Sequence, residues 1–104
     1  MDYIYSMFEI LRSDTFKRWH EGLKDRQAAL RINARIRRLA TGNLGDVKPV
    51  REGISELRID YGPGYRVYFM RSGPLVIVLL AGGNKRTQNT DIKRAIAIAK
   101  NWRD

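Results

Sequence analysis

From Ser55 to Lys85 the chain reads SELRIDYGPGYRVYFMRSGPLVIVLLAGGNK, and this stretch constrains the rest of the fold. Ser55, Leu57 and Ile59 alternate with Glu56, Arg58 and Asp60. After Tyr61-Gly62-Pro63-Gly64 the pattern resumes, with Tyr65, Val67 and Phe69 opposite Arg66 and Tyr68. A period of two is that of a strand with unlike faces, and Gly/Pro clusters mark turns. A further turn, Ser72-Gly73-Pro74, leads into residues 75–81, apolar on both faces and therefore expected as the central, most covered strand. Gly82-Gly83-Asn84-Lys85 is expected to leave the sheet.

The remaining chain supplies one strand and three helices. Residues 4–11 read as a first strand, with Tyr3, Tyr5 and Phe8 suiting β structure. Ser13-Asp14-Thr15 is an N-cap cluster, after which Phe16, Trp19, His20 and Leu23 share one face of a short helix ended near Gly22. A second helix spans about 26–40, with Ala29, Ile32, Ile36 and Leu39 inward and Gly42 at a left-handed end. Residues 44–50 read as a connecting loop. Thr87 or Thr90 caps a last helix whose core stripe is Ile92, Ala95, Ile96 and Ala99. The order β-α-α-β-β-β-α predicts a single α+β domain over residues 1–104, with helices on a small, mostly antiparallel four-stranded sheet.

Composition narrows the chemistry. There is no cysteine and one histidine, so thiolate sites, disulfides and paired-histidine chemistry are excluded. The formal net charge is +9 over 104 residues, a bias toward anionic partners, chiefly nucleic acid. No basic segment followed by an apolar one opens the chain, and no apolar run approaches membrane length. A cytoplasmic protein without membrane contact is the expectation.

Glu56 and Arg58 project from one strand face, Arg66 lies on the neighbouring strand, and Lys85 follows the third. If the strands form a hairpin, these groups come within cross-strand reach, either as a surface ion pair or as a phosphate site. Arginine clamps phosphate oxygens bidentately, and cleavage of RNA through its own 2′-hydroxyl requires only a base, an acid and charge stabilisation. Lys48 borders the same surface, and Tyr65 and Tyr68 are candidate stacking residues. Arg31, Arg35 and Arg38 align on the second helix, where no acid occurs from residue 26 to 45; they form either a phosphate track or a wet helix face. Trp19 and Trp102 read as packing residues, and His20 as a boundary residue.

The block GISELRIDYGPGYRVY, followed by VIVLLAGGNKRTQNTDIKRA, resembles the RelE/HigB-type toxins of type II toxin–antitoxin modules, in the branch of addiction module killer proteins. The resemblance covers nearly the whole chain and implies a RelE-like fold. It also implies a metal-independent endoribonuclease that cuts mRNA on the ribosome, with no cofactor. The implied partners are mRNA, the ribosome and a cognate helix-turn-helix (HigA-like) antitoxin, through which operator DNA is reached. By motif it implies Arg66 on the scissile phosphate, supported by Lys85, Arg58 and Lys48. Glu56 stands where many relatives carry lysine, and Gln88 falls where several carry a catalytic tyrosine. On this reading Glu56 is the base and Lys85 the acid, with Arg51, Arg86 and Gln88 as further RNA contacts. Arg66→Ala is expected to abolish growth arrest with the fold intact. A non-catalytic RNA-binding module, or an inactive homologue that still binds its antitoxin, is the alternative.

Overall fold

The computed structural model describes residues 7–103. The elements are β1 (Glu9–Arg12), α1 (Asp14–Glu21), α2 (Arg26–Ala40), β2 (Val47–Pro49), β3 (Ser55–Ile59), β4 (Tyr65–Arg71), β5 (Val76–Asn84) and α3 (Gln88–Asn101). Residues 4–6 of the expected first strand lie outside the described residues. The five strands form one sheet in the order β1-β5-β4-β3-β2, antiparallel except for the parallel β1–β5 pair.

The fifth strand corrects the expected count of four. Residues 47–49, read as loop, pair with 55–57 as an edge strand, with Lys48 opposite Glu56. Three residues ending in proline carry no readable alternation, and an edge is where proline is tolerated. A second correction concerns Gly82 and Gly83, which continue β5 instead of leaving it. A Cβ on Gly82 would overlap the Trp19 indole, and one on Gly83 would overlap the Asp91 carboxylate and come 2.7 Å from Thr87 Oγ1. Glycine lets helices lie directly on both faces of the strand end.

The sheet is covered on both sides. Phe16, Ile32, Ile36 and Leu39 of α1 and α2 pack on Leu57, Ile59, Val67, Phe69, Ile77 and Leu79. On the other face Ala95 and Ile96 of α3 meet Ile54, Tyr68, Val78, Leu80 and Ala81. A register shift between Tyr68 and Phe69 accommodates one extra β5 residue. Side-chain caps fix two helix starts. The Ser13 hydroxyl accepts from Phe16 N–H at 3.0 Å and donates to the Leu80 carbonyl at 2.6 Å. Asp25 accepts from the N–H groups of Gln27 and Ala28. Ala29, expected in the core, is only half-buried, and Ala28 takes its place. Gly42 adopts φ +89°, ending α2 as expected.

Candidate active site

Where the β3–β4 hairpin meets the end of β5, a cleft of about 440 Å³ opens. Gly62 (φ +55°) and Gly64 (φ +78°) carry the hairpin turn through left-handed backbone that a side chain would strain. The walls bear three cations, Arg58, Arg66 and Lys85, and two carboxylates, Asp46 and Asp60. Arg58 and Arg66 are direct cross-strand partners, so their side chains rise from the same face. Arg58 Nε lies 3.5 Å from Asp46 Oδ2, a solvent-exposed pair. Asp60 makes no ion pair among the described residues.

Arg66 is held from several directions. Its Nη1 donates to the carbonyls of Gly64 (3.1 Å) and Tyr65 (3.2 Å), and its Nε lies 3.4 Å from Glu56 Oε1. The other carboxylate oxygen of Glu56 accepts from Gln88 Nε2 at 3.0 Å. Because Gln88 is the first residue of α3, the helix start braces the arginine through the glutamate. That start is itself anchored: the Thr87 hydroxyl donates to buried Asp91 and accepts from Asn84 N–H.

The position of Glu56 corrects its expected role. It is 3% exposed, does not line the cleft and holds its carboxylate against Arg66 and Gln88, not toward solvent. Tyr68 is also displaced from its expected role: it is fully buried beside Glu56 and cannot stack on a base. Burial first, and then the Glu56 charge, push its phenol well above the usual tyrosine range. Tyr65 is half-buried and meets Trp19 edge-on at 6.3 Å.

The other candidates scatter. Lys48 is exposed on β2, outside the cleft wall, and Arg51 lies in the turn before β3, at the far end of that strand. Arg86 is exposed in the β5–α3 turn, where its N–H donates to Asn84 Oδ1 at 2.8 Å. Arg31 sits 4.6 Å over the Tyr61 ring, and Arg38 is exposed. Arg35 departs from the expected RNA track. Its Nη1 donates to the Arg58 carbonyl at 2.6 Å and its Nη2 to those of Leu44 and Asp46, so it ties α2 to the sheet. Asp46 and Asp60 were not foreseen as cleft residues, although Asp60 follows Glu56 and Arg58 in the same alternation.

This architecture is the RelE-type toxin fold. The chain aligns with a chain of the toxin–antitoxin complex RelBE2 from Mycobacterium tuberculosis, with a TM-score of 0.59 and 21% identity over 75% of this chain and 98% of that one. A Haemophilus influenzae protein described as uncharacterized is 51% identical over 86 residues, 83% of this chain and 87% of its own length, and the two belong to one family. No family model matches the chain. Among the described residues no helix is long and apolar enough to cross a membrane.

Proposed function

We propose that this protein is the toxin of a type II toxin–antitoxin module, a metal-independent endoribonuclease that cleaves mRNA on the ribosome in the cytoplasm. The observation that carries the reading is the braced Arg66, set beside Arg58 and Lys85 in a cleft roofed by a glycine turn. The fold shared with a chain of a toxin–antitoxin complex and the +9 charge support it.

In the proposed reaction the 2′-oxygen attacks the adjacent phosphorus and the P–O5′ bond breaks. The 2′-hydroxyl proton passes to a base and the 5′-oxygen gains one, leaving a 2′,3′-cyclic phosphate and a 5′-hydroxyl. Arg66 and Arg58 stabilise the charge that grows on the phosphoryl oxygens, where fixed cations act most strongly. Lys85 protonates the leaving oxygen. With Glu56 turned inward and Asp46 paired to Arg58, Asp60 is the carboxylate placed to accept the first proton.

A cognate antitoxin of the helix-turn-helix, HigA-like kind covers the basic surface and links the toxin to operator DNA. The competing reading, a non-catalytic RNA binder or an inactive homologue held by its antitoxin, draws on one observation: the cleft wall carries neither histidine nor tyrosine. Induced expression without the neighbouring gene, with mapping of mRNA 5′ ends, separates the two. New ends and growth arrest support the nuclease; intact mRNA during normal growth refutes it.

A further inference from the structure

A second cleft, of about 390 Å³, lies between α1 and α3. Its walls are Thr15, Arg18 and Trp19 of α1 and Arg94 of α3, and its floor is Gly82. Positions 15, 18 and 19 fall on one helix face by the three-and-four spacing. No carboxylate lines the cleft, and among the described residues neither arginine makes an ion pair. Two exposed guanidinium groups thus line one hollow.

The floor is also unusual. β1 accompanies β5 only as far as the Arg12–Leu79 pair, and the Ser13 hydroxyl takes the Leu80 carbonyl. Beyond that point β5 has no strand on this side, and the indole of Trp19 rests on Gly82, half-buried. Lys85 of the first cleft lies three residues further along the chain, roughly 10 Å at the strand rise of about 3.4 Å. Trp19 also touches Tyr65, which begins the strand bearing Arg66. The two hollows thus lie at the same end of β5, within the span of a short oligonucleotide.

We infer that this cleft is a flanking-nucleotide subsite for the single-stranded RNA whose scissile phosphate lies at Arg66: Arg18 and Arg94 take a backbone phosphate and Trp19 stacks on a base. The inference rests on the proposed function and extends it beyond the reacting phosphate. An aromatic face between cations suits a single strand of any sequence, because every base presents a π-face. An acidic peptide matches the charge but does not require an aromatic face between the cations.

The test uses the full chain carrying Trp102→Phe, so that Trp19 is its one tryptophan. A fluorescein-labelled, fully 2′-O-methylated oligoribonucleotide of about ten residues cannot be cut, and its binding is followed by anisotropy while Trp19 emission is read in parallel. Binding should quench Trp19. Arg18→Ala/Arg94→Ala should weaken binding about tenfold or more and lower the salt slope by roughly 0.7, the value for one phosphate contact on a single strand. Circular dichroism confirms that the variant is folded.

Binding with unchanged Trp19 emission and a wild-type salt slope in the double variant overturns the subsite and leaves the proposed function standing. No binding by either protein overturns both. Quenching by polyglutamate and not by the oligonucleotide assigns the cleft to an acidic protein partner and overturns the inference.

Discussion

Nε of Arg66 stands 3.4 Å from Oε1 of Glu56, and the two side chains are only 10% and 4% exposed. Breaking a buried pair by removing one member strands the other charge in low dielectric, a loss of about 3–5 kcal/mol. Arg66→Ala is therefore not the clean active-site knockout that the family resemblance implies. Both Arg66→Ala and Glu56→Gln should lower the urea midpoint, and the double variant should lose less than the sum of the two. The coupling expected is at least about 1 kcal/mol, and strict additivity would show that the two groups do not interact.

The alternation in β3 and β4 revealed which residues share a face, and that was enough to bring Glu56, Arg58 and Arg66 together. It could not reveal that α3 covers the same face, because a period of two marks unlike faces and is silent on whether the polar one is wet. Glu56 and Tyr68 were thus placed at a surface that is in fact interior. Arg35 was misread for a related reason: its partners are backbone carbonyls, which no side-chain pattern encodes. The edge strand β2 and the extension of β5 through two glycines escaped because proline and glycine read as punctuation. The helix boundaries at Ser13, Gly22 and Arg26 were legible because capping chemistry is local.

Gly83→Ala should damage both fold and site. The added methyl must push Asp91 and Thr87 outward, and with them the start of α3 that carries Gln88. Overpacking of this kind costs roughly 1–3 kcal/mol. Thermal melts should show the loss, and RNA affinity should fall even under conditions where the variant remains folded, since Glu56 loses its second brace. Gly73→Ala, at a turn where a Cβ meets nothing within 4 Å but φ is +77°, controls for backbone strain alone and should leave affinity unchanged.

Tyr68 gives the protein an alkaline signature. Burial and the neighbouring Glu56 charge hold its phenol protonated in the folded state, whereas the unfolded chain ionises near the usual value of about 10. Above that pH the unfolded state binds fewer protons than the native one, so this contribution is present below about pH 10 and is lost as pH rises. The slope is at most about 1.4 kcal/mol per pH unit for one group. Tyr68→Phe should remove it. Denaturation curves of wild type and variant should run parallel up to about pH 9.5 and diverge above it, with the wild type falling faster; parallel curves up to pH 11 would rule out the assigned cause.

Arg35 and Arg38 lie one turn apart on α2 and should fail in different ways. The guanidinium of Arg35 reaches the carbonyls of Arg58, Leu44 and Asp46, so Arg35→Ala leaves three acceptors to water and frees the loop that carries the wall residue Asp46. At about 0.5–1.5 kcal/mol net for each good bond, with the 2.6 Å contact to Arg58 the strongest, the variant should lose about 1–3 kcal/mol. Arg38 is exposed, and its side chain makes no ion pair among the described residues, so Arg38→Ala should leave stability within about 0.5 kcal/mol of wild type. If α2 also faces an RNA backbone, the salt dependence of binding separates the two effects. Arg38→Ala should lower the slope by about 0.7 with the melting curve unchanged, whereas Arg35→Ala should weaken binding at every salt concentration without changing the slope. A lowered slope in the Arg35 variant, with wild-type stability, would restore it to the phosphate track and remove it from the scaffold.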